Sequence, residues 1–226
     1  MNTAQLKNRI QHLKEITEAS DRTGWMLDNV AFFLYSLVKF YKPDLVIQIG
    51  HLWGKSATVI LEALHDEFLT QDNGIEDGKL SGDIKFYEFS LNNSPKDKKG
   101  KLISIDAFPY GNWEKGINFL KNTYPNFEYI VSKSDDYFLD NSKLIMDEYT
   151  NDSKTIFGVV DGDHSYDGAM KDLINMGKIG ASVILVDDTM WLNDIHKASI
   201  KFAESNGYDY INFPIYNGIG LLIKSI

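Results

Sequence analysis

Residues 45–64, "LVIQIGHLWGKSATVILEAL", pass from a β-branched apolar run through two glycines into apolar residues at helical spacing. Gly50 and the triplet Gly54-Lys55-Ser56 give the stretch the outline of a phosphate-binding loop. Such a loop places four residues between its first glycine and the Gly-Lys-Ser, so that the backbone wraps a phosphate while the lysine reaches across it. Here only His51, Leu52 and Trp53 intervene. The residue that would restore the count is Ile49, whose branched side chain suits a buried strand end and resists the positive φ that such a loop often demands. The stretch therefore reads as a buried strand, a turn and a helix N-terminus that brings backbone amides close to some other ligand.

The rest of the chain repeats this rhythm. Strand-like runs at 101–108 (KLISIDAF), 127–134 (FEYIVSKS), 155–165 (TIFGVVDGDHS) and 181–189 (ASVILVDDT) alternate with helix-like runs at 111–124, 135–149, 166–179 and 195–207. Such alternation predicts an α/β fold with a mostly parallel sheet. Two further strand-like runs at the end flank Asn217-Gly218, a strong hairpin signal. Before the first strand, residues 1–43 read as two or three helices, either a cover on the sheet or a substrate-side lid, and 44–226 as the main domain. Residues 70–100 are rich in Gly, Asn and charge around the strand candidate IKFYEF, and read as a long surface insertion.

Composition narrows the function. The 226 residues suffice for one folding unit with an extensive core, and the 43% hydrophobic and 24% charged fractions are ordinary for a globular protein. The absence of cysteine excludes disulfides, zinc ribbons and thiol nucleophiles, and agrees with a reducing compartment, so a cytoplasmic location is expected. The polar, helical N-terminus is not a signal peptide in pattern, and the apolar run VAFFLYSLVKFY is short and interrupted by Lys39. A net charge of −9 opposes non-specific binding to nucleic acid or an anionic membrane. Small molecules are the expected partners.

In an open α/β sheet, ligands bind outside the carboxyl ends of the strands. The first strand delivers Gly50 and Gly54 there, and the second delivers Asp106, which suits a ribose diol or, equally, a solvated loop or helix cap. The third delivers Ser134 and Asp135, able to bond an adenine edge or to cap the next helix. The fourth delivers Asp161, Gly162, Asp163 and His164, and the fifth Asp187 and Asp188. Carboxylates so placed repel one another unless something neutralises them, and oxygen ligands without a thiol suit Mg²⁺, with Mn²⁺ or Ca²⁺ as alternatives. The competing reading has Asp163 and Asp188 capping the segments that follow while Asp161 bonds loop amides.

Taken together, these residues resemble the class I S-adenosylmethionine-dependent methyltransferases, and within them the metal-dependent O-methyltransferases of the catechol and macrocin type. The resemblance covers about residues 20 to 226 and rests on VIQIGHLWGKSATVILEAL, LISIDAF, VVDGDHSYDGAMKDL and ASVILVDDT. It implies a Rossmann-like fold: a seven-stranded, mostly parallel sheet with helices on both faces and a C-terminal antiparallel hairpin. It further implies that Gly50, Trp53, Gly54 and Ser56 form the loop at the methionine end of the cofactor, that Asp106 and Ala107 lie at its ribose, and that Ser134 and Asp135 face the adenine. Asp161, Asp187 and Asp188 match the family's metal ligands, with Asp161 also beside the cofactor. His164, three residues after the first ligand, falls where the family places the base that deprotonates the acceptor hydroxyl. A small-molecule hydroxyl acceptor, including sugars of natural products, and a homodimer are implied as well.

The chain departs from the family in three places. Many class I enzymes carry an acid where this chain has Gln48, whose neutral amide can still bond the cofactor's amino group or the loop backbone. The usual Gly-Gly before the fifth strand is Gly180-Ala181, and the insertion at 70–100 has no clear counterpart in the smallest members. Lys55 is expected to point to solvent along its helix. Trp113 and Trp191 wall an acceptor or adenine pocket or cover the core edge. Two rival functions remain: a metal-dependent hydrolase or hydroxylase-like enzyme that binds no S-adenosylmethionine, and a non-catalytic binding protein on the same fold.

Overall fold

The computed structural model describes residues 3–17, 26–65, 100–109, 111–149 and 154–225. The insertion read at 70–100, with its strand candidate, lies outside the described residues except for Gly100. Seven strands form one sheet: β1 (Leu45–Ile49), β2 (Lys101–Asp106), β3 (Phe127–Val131), β4 (Ile156–Val160), β5 (Val183–Val186), β6 (Tyr208–Phe213) and β7 (Ile219–Lys224). Their spatial order is β3-β2-β1-β4-β5-β7-β6. The first five run parallel; β7 lies antiparallel to β5, and β6 antiparallel to β7.

The helices are α1 (Thr3–Thr17), α2 (Asp28–Tyr41), α3 (Lys55–His65), α4 (Trp113–Thr123), α5 (Ser134–Tyr149), α6 (Tyr166–Lys178) and α7 (Asn193–Asn206). They cover both faces, and the strands show why. Val46 faces a core built with Leu34 of α2, Ile60 of α3 and Leu120 of α4. Its neighbours Leu45 and Ile47 face a second core built with Phe138 of α5, Leu173 of α6 and Phe202 of α7. With both faces covered, all five residues of β1 are buried, so the strand reads as an unbroken apolar run instead of an alternating one.

At the centre of the sheet the chain reverses its direction of growth, with β2 and β3 to one side of β1 and β4 and β5 to the other. Loops leaving β1 and β4 therefore part, and a crevice opens between them. Gly50 makes this junction tight: its φ is +86°, and a Cβ there would lie 1.9 Å from the carbonyl oxygen of Asp161. Only glycine fits.

Two expectations are refined here. Asn217 and Gly218 do lie in the β6–β7 turn, but the connection runs over residues 214–218, longer than a two-residue hairpin. The expectation that Lys55 points to solvent is corrected: it is 5% exposed. Its Nζ donates to the carbonyl of Met26 and, at 3.0 Å, to Asp28 Oδ1, fastening the first turn of α3 to the start of α2. A lysine can bury its stem among apolar groups when its ammonium finds oxygens at the end.

Candidate active site

A cleft of about 1180 Å³ opens over the carboxyl ends of β1, β2, β3, β4 and β5. Gly50, His51 and Leu52 form one edge of its floor, and Asp106, Ala107 and Phe108 continue it after β2. Ser134 and Asp135 close one end; Asp161, His164, Asp187 and Asp188 close the other, beside Trp191 and Tyr216. Trp113 instead packs against Tyr129, with ring centroids 5.6 Å apart. The start of α2 contributes Met26, Leu27 and Val30. The N-terminal segment thus both covers the core and lines the cleft.

The carboxylate of Asp106 organises the loop after β1. Its Oδ2 accepts from the main-chain N–H of His51 at 2.9 Å and of Leu52 at 3.1 Å, while Oδ1 accepts from Phe108 N–H at 2.9 Å. Leu52 takes a left-handed φ of 50° to bring its N–H there. Gln48, Trp53, Gly54 and Ser56 do not line the cleft; all four are buried behind the loop. Gln48 Nε2 donates to Gly50 O at 2.7 Å and to Ser56 Oγ at 2.6 Å, so the amide that replaces the expected acid braces the loop from beneath.

Beside Gln48 in the sheet stand Ser104 of β2 and Tyr129 of β3 at matching register. His51 lies over this polar row, its Nδ1 2.8 Å from Ser104 Oγ and its ring edge-on to Tyr129. Among the described residues, Gln48 Oε1, His51 Nε2 and the Tyr129 hydroxyl find no partner. Burial pushes the His51 pKa down to about 4, so the imidazole is neutral at pH 7.

Ser134 and Asp135 neither stand free nor cap their own helix. Ser134 Oγ donates to Asp172 Oδ1 at 2.5 Å, and Asp135 Oδ1 accepts from Asn175 Nδ2 at 2.9 Å, so both tie α5 to α6 along the cleft. Burial raises the carboxyl of Asp172 to about 6. Sequence reasoning misses Asp172, although a signal is there: it occupies a buried position of α6 three residues after Ala169, on the face that carries Leu173 and Met176.

At the acidic end, one ligand atom each from Asp161, His164 and Asp188 lies within 4.8 Å of the others. His164 Nε2 is 3.5 Å from Asp161 Oδ1 and 3.7 Å from Asp188 Oδ2. Asp187 lies outside this group, and its Oδ1 accepts the N–H of Asp188 at 2.9 Å. The capping reading survives only for Asp163, which accepts from Ser165 N–H ahead of α6, while Ser165 itself is the helix cap. Asp188 adopts a φ of +60°.

The electrostatics of this end suit a cation. Burial raises the pKa of Asp161, and the nearby Asp188 adds to the rise. Burial, Asp161 and Asp188 together push Asp187 up to about 8. The hydrogen bond to Asp161 holds the His164 pKa above its usual range, against the lowering effect of its partial burial. Carboxylate oxygens with no thiol suit a divalent cation such as Mg²⁺ or Mn²⁺, and the imidazole of His164 stands beside them.

No family model and no curated protein matches this sequence. Solved structures do match in fold. A methyltransferase from Geobacter sulfurreducens aligns with a TM-score of 0.59 at 12% identity, covering 98% of this chain and 89% of its own. A methyltransferase from Podospora anserina bound to SAH aligns with a TM-score of 0.61 at 13% identity, over 98% and 88% of the two chains. An O-methyltransferase from Bacillus cereus, also in complex with SAH, gives 0.60 at 13% identity, over 96% and 91%. The fold is therefore that of the Rossmann-like class I methyltransferases.

Proposed function

We propose that this protein is an S-adenosylmethionine-dependent O-methyltransferase that uses a divalent cation, Mg²⁺ foremost, to methylate a hydroxyl of a small molecule or sugar. The observation that carries the reading is the meeting of Asp161, His164 and Asp188 at one end of a switch-point cleft whose floor holds Asp106. Two of the solved structures that share its fold are bound to SAH, the product form of that cofactor.

On this reading Gly50, Asp106 and Ala107 lie along the ribose and methionine side of the cofactor, with Gln48, Trp53, Gly54 and Ser56 shaping the loop from behind. Ser134 and Asp135 close the adenine end. When bound, S-adenosylmethionine supplies an electrophilic methyl group on a sulfonium that departs as a neutral thioether. Asp161 and Asp188, with Asp187 beside them, hold the cation, which supplies positive charge that lowers the pKa of an acceptor hydroxyl. His164, 41% exposed in its side chain, takes the hydroxyl proton on Nε2. Phe108, Trp191 and Tyr216 are exposed rings on the cleft wall and offer flat apolar surface to the acceptor. Helices α1 and α2 serve as a cover on the domain that follows them, with the start of α2 as part of the acceptor side.

One observation favours a metal-dependent hydrolase instead: the Asp106 carboxylate already accepts three main-chain N–H groups, which compete with a ribose diol. Because of those bonds, Asp106→Ala would loosen the loop under either reading, and the decision falls to methyl transfer itself. Methyl transfer from labelled S-adenosylmethionine to a panel of sugars and phenols, in Mg²⁺ and in EDTA, is the test. Transfer is expected in Mg²⁺ and background in EDTA, with His164→Ala lowering kcat by roughly 10²- to 10⁴-fold. Undiminished transfer by His164→Ala would remove it from the chemistry.

A further inference from the structure

Asn217 stands out in the sequence only as a turn residue, yet its side chain ends on Asp188. Asn217 Nδ2 donates to Asp188 Oδ1 at 2.9 Å. The orientation of the amide is set by its partner, since an ionised carboxylate only accepts. Asp188 Oδ2 is left on the side of His164, 3.7 Å from Nε2.

The main chain of the same turn grips the same loop. The carbonyl of Asn217 accepts from Met190 N–H at 2.6 Å and Trp191 N–H at 2.8 Å, and that of Gly218 accepts from Thr189 N–H at 3.2 Å. A Cβ on Gly218 would lie 2.3 Å from Met190 N, so the two loops touch backbone to backbone. Asp188 needs such a grip, because a non-glycine residue at a φ of +60° persists only where its surroundings over-determine it. The contact follows from the sheet, which pairs Val186 with Gly220 across β5 and β7 and so brings the two loop ends together.

We propose that Asn217 is a positioning residue that acts through Asp188: its amide engages Oδ1 and presents Oδ2 to the cation, while its carbonyl fixes the loop that carries Trp191 to the acceptor wall. This rests on the reading of Asp161 and Asp188, with His164 beside them, as the cation site. Partners that orient a metal ligand through a hydrogen bond typically change metal affinity by about 10- to 100-fold when removed. Asn217→Ala deletes the amide and keeps the carbonyl, so it separates the two roles.

The experiment titrates Mn²⁺ into the full chain without cofactor or acceptor, reading free ion by electron paramagnetic resonance, for wild type, Asn217→Ala, Asn217→Ser and Asp188→Ala. The thermal midpoint in EDTA is measured alongside. Asn217→Ser is the fold-safe second variant, because serine suits turns but is too short to reach Asp188. The expected result is a Mn²⁺ dissociation constant raised about 10- to 100-fold in both Asn217 variants, with an altered spectrum of the bound ion and a midpoint in EDTA close to wild type. Wild-type binding that is lost in Asp188→Ala but kept in both Asn217 variants would overturn the role of Asn217 alone. No Mn²⁺ binding by wild type, or full binding by Asp188→Ala, would overturn the cation site and this proposal with it.

Discussion

His51 and Asp172 are each 3% exposed and titrate in opposite senses. Burial depresses the His51 pKa from 6.5 to about 4, so the folded protein resists a proton that the unfolded chain accepts. Its contribution to stability is complete above pH 6.5 and is lost as the pH falls towards 4. Burial raises Asp172 from 3.8 to about 6, so its charged form costs stability above pH 6, and that cost is relieved as the pH falls towards 3.8. Relative to wild type, His51→Asn should gain roughly 2 kcal/mol between pH 7.5 and 4.5, and Asp172→Asn should lose about as much. Urea denaturation at the two pH values measures both differences; pH-independent differences would contradict the assignment. Neither burial is legible in the sequence by polarity alone. His51 reads as a loop residue until the stacking of β1, β2 and β3 puts Ser104 and Tyr129 beneath it. Lys55 misleads in the same way, because the oxygens that satisfy it belong to a helix far away in sequence.

At the scale of the element, the strands are plain in the sequence. β-Branched runs that end in Gly or Asp mark β1, β4 and β5, and the strand-then-acid pattern locates the cleft without knowledge of any contact. The glycine at the end of β1 is the most constrained part of that unit. Gly50→Ala combines a left-handed conformation with a clash against the Asp161 carbonyl, and should cost about 3 kcal/mol or more, enough to threaten folding. Gly207, with a φ of +69° and nothing within 4 Å of where a Cβ would stand, is the matched control. Gly207→Ala should cost only the conformational part, about 1–2 kcal/mol. Equal losses of stability in the two variants, compared by denaturant midpoint, would mean that the close approach of β1 and β4 is not what demands glycine. Helix-capping logic is less dependable for α5. Ser134 and Asp135 suit a helix start by type, but Asp172 and Asn175 across the cleft outcompete that local use.

For the molecule as a whole, alternation alone gives an α/β class, not an order of strands. The resemblance implies a C-terminal antiparallel hairpin, but the place of β7 between β5 and β6 comes from the structure, since nothing in the period of an isolated run fixes its neighbours. That long-range pairing decides the site: it sets Asn217 against Asp188 and against the main chain of Trp191, contacts that no local motif announces. The acidic cluster is legible as a set, but its membership is not. The tightest group is Asp161, His164 and Asp188, while Asp187 bonds the backbone beside it. The net charge of −9 fits a protein that concentrates carboxylates where a cation can be held. All of this turns on one claim, that the cleft takes an adenosyl sulfonium and not a nucleotide phosphate. Isothermal titration of S-adenosylmethionine, and separately of ATP, into the purified protein with Mg²⁺ and then with EDTA tests it most directly. Saturable binding of S-adenosylmethionine and none of ATP is the predicted result; failure to bind S-adenosylmethionine under either condition would contradict it.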